Sequence, residues 1–210
     1  MIIEKTLLSN GATIATWDIT ETTDSLLDTL HLDPETIEEI SHFTSEKRRL
    51  EYLAVRCLLL TLSDGKMPRI KYLPSGMPYL ADHSQQIGIS HTGHYATVIT
   101  HPTTPVSVDI ERIGDKVLRV KNKFLHAEEL QNIDPRTEKI HLTILWAAKE
   151  ALYKVMGVEV VDFINQIRIE PFQPYMNGSI LAQEYVTEAK ATYTLHYKVY
   201  PEYVIVWTNK

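Results

Sequence analysis

The amino-acid sequence predicts an α+β fold, because strand-like and helix-like segments both recur along the chain. Val106–Glu111 alternates apolar and polar residues, which is typical of a strand, and the short apolar run Tyr203–Trp207 is also predicted to be a strand. Ser45–Leu62 and His141–Met156 instead carry the apolar spacing and terminal residues of long helices.

Weak internal sequence similarity indicates that the chain consists of two α/β halves. Tyr95–Thr100 resembles Tyr203–Thr208, and each of the two long helices follows a segment that begins with Phe. The division falls near Pro102, so we predict one subdomain over residues 1–102 and a second over 103–210, each about 100 residues as is usual for domains.

Composition restricts the class of protein. Hydrophobic residues make up 44% of the 210 residues and charged residues 23%, which is ordinary for a globular protein. Cys57 is the single cysteine, which permits no internal disulfide and favours a reducing compartment. We find neither a signal peptide nor a run of about 20 apolar residues, so we expect a cytoplasmic protein without membrane contact. A net charge of −6 argues against nucleic-acid binding.

The first half begins with local signals. Asn10-Gly11 predicts an opening hairpin, and Thr23–Leu30 a short helix. Asp33 and Pro34 are typical of the N-cap and first position of a second helix. Ser45 caps the long helix to Leu62, whose exposed part carries several basic residues, among them Arg48, Arg49 and Arg56. That face is either solvated or a phosphate-binding surface.

Strand-like segments follow, and one of them ends in an adjacent Ser and His. The segments are 70–73, 79–80, 86–90 and 95–100. Ser90 and His91 would point to opposite faces of a strand, so a nucleophilic Ser-His couple is disfavoured. A pair of ligand contacts or a structural histidine fits better.

The strand Val106–Glu111 places two carboxylates on one face. Asp109 and Glu111 would lie roughly 6.5–7 Å apart, and like charges at that separation favour a cation between them. Mg²⁺ binds through one or two carboxylates together with substrate phosphates. Alternatively, Glu111 lies past the strand and pairs with Arg112. The dyad alone leaves both interpretations open.

A basic patch follows this strand, and we define it by five residues: Arg112, Lys116, Arg119, Lys121 and Lys123. In an acidic chain it is either a solvated face or a docking surface for an acidic partner. A helix is then predicted over Phe124–Ile133, bearing Glu128 and Glu129.

The helix His141–Met156 has an apolar and a polar side. Gly157 is expected to end it. Leu145, Ala148, Leu152 and Val155 form the apolar stripe. Trp146, Glu150 and Lys154 lie opposite, with Lys149 and Tyr153 beside them. A solvated face with one Glu–Lys pair would be the usual explanation, although Trp146 fits it poorly. Strands are expected over 164–170 and within 188–208.

Three ordered motifs resemble the 4′-phosphopantetheinyl transferases. They are Ser90-His91, Val108-Asp109-Ile110-Glu111, and Trp146-x-x-Lys149-Glu150-x-x-x-Lys154. The closer likeness is to the single-chain, surfactin-type branch. This resemblance implies two similar subdomains related by a pseudo-two-fold, each a small, mostly antiparallel sheet packed on a long helix, with a monomer expected.

The resemblance also implies a reaction. The enzyme would move phosphopantetheine from coenzyme A to a serine of an acyl or peptidyl carrier protein and release adenosine 3′,5′-bisphosphate. Asp109, Glu111 and Glu150 would hold Mg²⁺, and Glu111 or Glu150, directly or through a metal-bound water, would take the serine proton. Lys154 would balance or protonate the departing phosphate.

Further contacts are implied for coenzyme A and for the carrier. Lys149 would orient phosphates, and Ser90 and His91 would contact the 3′-phosphate. Arg48, Arg49 and Arg56 are candidates for the same phosphate, which the sequence does not decide among. The carrier protein, acidic around its serine, would dock on the basic patch.

Two departures from the family pattern occur at Met77, where a lysine is common, and at Ser107, where glycine is usual. With Met77 in place of a lysine, the affinity for coenzyme A is more in question than the chemical step. It also motivates one alternative, a paralogue that binds coenzyme A or carrier proteins without turnover. The other alternative is a Mg²⁺-dependent phosphoester hydrolase, which leaves the basic patch and Ser90-His91 unexplained.

Overall fold

The computed structural model describes residues 1–63 and 65–209 and confirms the α+β class. The chain forms two compact units. The first consists of Met1–Lys71 and Pro78–Thr103, and the second of Tyr72–Met77 and Thr104–Lys210. The sequence places the division one residue earlier, between residues 102 and 103, and does not anticipate the grouping of 72–77 with the second unit.

The first unit is built on a four-stranded antiparallel sheet. Its strands and the short pair beside them are β1 (Ile2–Leu7), β2 (Thr13–Asp18), β3 (Ile70–Tyr72), β4 (Pro78–Leu80), β5 (Gln86–Thr92) and β6 (Tyr95–His101). The sheet order is β1-β2-β6-β5, and β3 and β4 pair separately. The predicted opening hairpin is confirmed by the antiparallel register of β1 and β2.

The described residues of the first unit form three helices, and two of them begin where Asp33 and Ser45 predict. The three are α1 (Thr23–Leu30), α2 (Pro34–Ser41) and α3 (Glu46–Leu62). The side chains of Asp33 and Ser45 accept hydrogen bonds from the backbone of Thr36 and Arg48, which satisfies otherwise unpaired N–H groups. Leu58 and Leu59 of α3 pack with Ile87, Ala96 and Val98 of the sheet. These contacts anchor α3, which carries the basic side chains.

The second unit contains a five-stranded antiparallel sheet. Its strands are β7 (Val106–Arg112), β8 (Ile167–Ile169), β9 (Asn177–Glu184), β10 (Thr192–Val199) and β11 (Tyr203–Asn209), in the order β7-β11-β10-β9-β8. The sequence does not predict β9. Its inward residues Ile180 and Ala182 are followed by Glu184, which is buried too, so the apolar alternation is weak.

The helices of the second unit differ in part from the expectation. They are α4 (Asp115–Val120), α5 (Ala127–Gln131) and α6 (Glu138–Met156), with a short 3-10 helix at Lys121–Lys123. The predicted helix over 124–133 is confined to α5, because His126 forms a capping box with Glu129 and begins the helix there. The apolar stripe of α6 is buried as predicted, and Gly157 ends the helix with φ 67°.

None of the helices in residues 1–63 and 65–209 has the length and apolar character needed to cross a membrane.

Candidate active site

Strand β7 holds Asp109 in the interior of the second unit. Asp109 pairs in register with Val206 of β11, and both strands pack against α6. Nζ of Lys154, near the end of α6, lies 2.6 Å from Oδ1 of Asp109 and 3.4 Å from the carbonyl oxygen of Val108. The structure therefore joins the strand motif and the helix motif through a partly buried ion pair.

Glu111 is held by an indole. Nε1 of Trp146 donates a hydrogen bond of 2.9 Å to Oε1 of Glu111. The Trp146 ring is met edge-on by Phe124, with centroids 4.9 Å apart, and by Phe163 at 6.0 Å. Trp146 therefore fits the polar face of the helix, because aromatic rings flank its indole ring and its N–H donates to a carboxylate.

Glu150 shares the electrostatic environment of these carboxylates. Its pKa is raised from 4.5 to about 7. Burial is the main cause, and the negative charges of Asp109 and Glu111 contribute to the increase against the opposing effect of Lys154. The structure therefore brings Asp109, Glu111, Glu150 and Lys154 into one electrostatically coupled group.

The chemistry of this group fits a hard divalent cation, since three carboxylates near one another favour such an ion. Within the described residues, however, no three His, Cys, Asp or Glu side chains are arranged as a ready metal cluster. The Mg²⁺ site at Asp109, Glu111 and Glu150 stays a prediction.

Lys149 does not occupy the exposed position expected of a phosphate contact. Its side chain is 0% exposed, and Nζ lies 2.7 Å from Oε2 of Glu129. The same ammonium donates to the carbonyl oxygens of Phe124, Phe163 and Ile167 at 2.8–3.0 Å. Burial lowers the pKa of Lys149, and the Glu129 carboxylate opposes that effect. Lys149 points inward because these acceptors compensate its charge there.

Glu129 is the partner that the sequence did not single out. Its Oε2 also accepts a hydrogen bond from the backbone N–H of His126, and its Oε1 accepts one from Ile169 of β8. One carboxylate thereby links α5, α6 and β8. The spacing of Glu129, three residues after His126, was an available signal for the capping box, although the contact with Lys149 depends on the tertiary fold.

A cavity of about 400 Å³ lies beside Glu111 within the second unit. Its apolar walls are Val117, Val120, Trp146, Val161 and Phe163. Arg112, Lys116 and Lys123 of the basic patch also line it, together with Asp162. The patch is therefore not an evenly solvated face, because three of its cations border a concave, mostly apolar site.

In the first unit, the structure brings Arg48 and His91 together. Nη1 of Arg48 lies 2.7 Å from Nε2 of His91. The buried carboxylate of Glu51 lies 3.4 Å from Nδ1 of His91 and 3.5 Å from Nη1 of Arg48. Lys47 adds a further cation, 3.4 Å from Glu51. No role for Glu51 was predicted, although its spacing from Lys47 and Arg48 on a helix was a usable signal.

The other predicted contacts of the first unit lie elsewhere on α3 and β5. Arg49 faces Glu46, 3.6 Å away. Arg56 is buried, with its guanidinium 3.2 Å from the centroid of the Tyr52 ring and 4.0 Å from Glu39. Ser90 is buried on β5 while its neighbour His91 is exposed, as expected for alternating positions of a strand.

Met77, which stands where the resemblance suggests a lysine, lies against the end of α6. A Cβ atom at Gly157 would lie 3.7 Å from Cε and Sδ of Met77. The thioether therefore packs beside the glycine that ends the helix.

A comparison with known families decides which part of the chain carries the resemblance. Residues 105–207 match the model of the 4′-phosphopantetheinyl transferase superfamily. No curated protein sequence matches the chain. The match to the phosphopantetheinyl transferases supports a transferase function in general. The matched range contains Asp109, Glu111, Glu150 and Lys154. Arg48 and His91 lie outside the matched range.

Proposed function

We propose that the protein transfers the 4′-phosphopantetheine group of coenzyme A to a serine of an acyl or peptidyl carrier protein, with Mg²⁺ and as a monomer of the single-chain, surfactin-type branch. The observation that carries this proposal is the coupled group in the matched region. Lys154 pairs with Asp109 at 2.6 Å, and Asp109 and Glu111 help to raise the pKa of Glu150 to about 7.

These residues suit phosphoryl transfer. The serine Oγ would form a bond to the phosphorus of the phosphopantetheine group as the pyrophosphate P–O bond breaks. Glu111 or Glu150 would accept the serine proton as general base. In the metal-free protein, burial is the main cause that raises the pKa of Glu150 to about 7. Lys154, with a partly exposed ammonium, would neutralise the departing adenosine bisphosphate.

Asp109, Glu111 and Glu150 would hold the Mg²⁺ ion, which when bound neutralises charge on the phosphate oxygens. The hydrogen bond from Trp146 fixes one oxygen of Glu111 and leaves its orientation defined before any ion arrives.

The carrier protein would dock on the basic patch. Four of its five residues, Arg112, Lys116, Arg119 and Lys123, are exposed, and three of the five line the cavity next to Glu111. Lys121 instead pairs with Glu138 at 2.6 Å. An acidic carrier held there would have its serine close to the carboxylates.

The experiment is to incubate the protein with coenzyme A, Mg²⁺ and an apo carrier protein and to measure the intact mass of the carrier. Addition of one phosphopantetheine group is expected, and Asp109→Ala should abolish it. Binding of coenzyme A without a mass change would instead indicate a non-catalytic paralogue. Release of phosphate without carrier modification would indicate a hydrolase.

A further inference from the structure

We propose that Glu51 is a positioning residue for a phosphate-binding pair, Arg48 and His91, and that it does so by fixing the tautomer of the imidazole. The inference rests on the proposed function in one respect only, namely that the phosphate is the 3′-phosphate of coenzyme A.

The contacts of His91 with Arg48 and with Glu51 together determine where the imidazole hydrogen lies. A guanidinium group has only donors, so at 2.7 Å from Nη1 of Arg48 the Nε2 atom of His91 must accept. The neutral ring then carries its hydrogen on Nδ1. That atom faces Oε1 of Glu51 at 3.4 Å, and a carboxylate is the acceptor that favours this tautomer.

Glu51 is suited to this task because it is buried and lies among cations. Its side chain is 7% exposed, whereas that of Arg48 is 51% exposed. Lys47 and Arg48 precede it by four and three residues on α3, so the helix geometry holds both cations near the carboxylate. The negative charge of Glu51 is therefore held in the protein interior, while the Arg48 guanidinium and Nε2 of His91 face the solvent.

Binding of a phosphate monoester would replace the contact between Arg48 and His91 with contacts from each of them to the phosphate. A fully ionised phosphate offers only acceptors, so Arg48 would turn its donors to the phosphate and Nε2 of His91 would bind it as a protonated donor. Glu51 then faces the Nδ1–H of an imidazolium and compensates its charge. Without the carboxylate, the ring would face the Arg48 guanidinium without this compensating charge and would gain a positive charge less readily.

The test uses Glu51→Gln, which keeps the size of the side chain and removes its charge. Glu46→Gln is the matched control, since Glu46 lies in the same helix and pairs with Arg49. Nitrogen NMR of the imidazole, assigned with His91→Asn, should show the Nδ1–H tautomer in the wild type and in Glu46→Gln. A mixture of tautomers is expected in Glu51→Gln.

Binding supplies the second readout. Glu51→Gln should weaken coenzyme A by about tenfold, as expected for the loss of one interaction with a charged group, and should leave 3′-dephospho-coenzyme A within about twofold. Glu51→Asp, which keeps the charge, should restore part of the affinity. Thermal unfolding of each variant checks that the helix is intact.

An unchanged tautomer in Glu51→Gln, or an equal loss for both ligands, would overturn the inference about Glu51. If the wild type binds coenzyme A with the expected preference but does not modify a carrier, the proposed function fails while the role of Glu51 stands. If the wild type does not distinguish the two ligands, the 3′-phosphate is not the bound group and the inference fails.

Discussion

The indole N–H of Trp146 on helix α6 donates a hydrogen bond of 2.9 Å to the carboxylate of Glu111 on strand β7. Phe124 and Phe163 flank the indole ring, and the backbone carbonyls of both are bound by the same Lys149 ammonium. A buried lysine thus secures the two segments whose rings position Trp146. Through Trp146 they position Glu111.

Replacing Trp146 with Phe should reduce turnover without weakening coenzyme A. The variant keeps an aromatic ring but removes the hydrogen bond to Glu111, an interaction with a charged group worth about 1.5–3 kcal/mol. We expect a fall in kcat of about tenfold or more and an unchanged KM for coenzyme A. Trp207→Phe is the matched control, because the Trp207 ring stacks on that of His196, with centroids 5.7 Å apart. Equal kinetics for the two variants would remove Trp146 from this role.

Replacing Lys149 with Met should destabilise the protein. The variant leaves the buried Glu129 carboxylate without its cation, and loss of one partner of a buried ion pair costs about 3–5 kcal/mol. Lys139→Met is the control, because Lys139 lies on the same helix and pairs with Asp115 at 2.7 Å at the surface, where a pair contributes about 0–1 kcal/mol. Urea unfolding gives both values.

The free energy of unfolding of Lys149→Met, together with its KM for coenzyme A, decides between the buried structural role and the phosphate-binding role of Lys149. If Lys149→Met kept the free energy of unfolding and raised the KM for coenzyme A, the phosphate contact expected from the sequence would be right and the buried role would be refuted.

The residues that the sequence placed well are those with a local signal. Asp33 and Ser45 predict helix starts because a cap needs only the next three residues. Gly157 predicts a helix end because it adopts a positive φ. Asp109 was found through the alternation of its strand, which also sets its face.

The surroundings of Lys149 and Glu51 could not be predicted, because they depend on contacts between distant segments. Periodicity sets Lys149 beside Glu150 on α6, but the acceptors that draw it inward come from residues 124, 129, 163 and 167. Glu51 was overlooked because its environment includes His91, forty residues further along in another element. A helical pattern gives the direction of a side chain and does not identify the segment it meets.

Glu150 should make stability depend on pH in the metal-free protein. The ordinary pKa of a glutamate side chain is 4.5, whereas the pKa of Glu150 in the folded protein is about 7. Between about pH 4.5 and 7, the folded state therefore holds a proton on Glu150 that the unfolded state releases. The stability that protonated Glu150 contributes is therefore complete below about pH 4.5 and is lost as the pH rises through about 7.

The free energy of unfolding should be measured for the wild type and Glu150→Gln between about pH 5 and 8, where the difference between them reports this group. The wild type should lose stability relative to the variant as the pH rises. Mg²⁺ at about pH 8 should stabilise the wild type and not Glu150→Gln, because an ion that binds only the folded state stabilises it. A pH-independent difference would show that Glu150 titrates normally, and equal stabilisation of both proteins would exclude Glu150 as a ligand.

Reversing two charges of the basic patch should impair docking of the carrier. Lys116 and Lys123 are exposed and line the cavity beside Glu111. The enzyme carries a net charge of −6, so an acidic carrier would be repelled without a local region of opposite sign. Lys116→Glu/Lys123→Glu should raise the KM for the carrier about tenfold through slower encounter and leave the KM for coenzyme A unchanged. High salt should raise the carrier KM of the wild type and have less effect on the variant.

Lys66→Glu/Lys71→Glu provides the control with an equal change in net charge, since both lysines are exposed and belong to the first unit. If net charge alone governed encounter, both double variants would raise the carrier KM equally. An effect confined to Lys116 and Lys123 would assign docking to the patch. A carrier KM unchanged in both would show that the carrier docks elsewhere, and the cations around the cavity would then be a solvated rim.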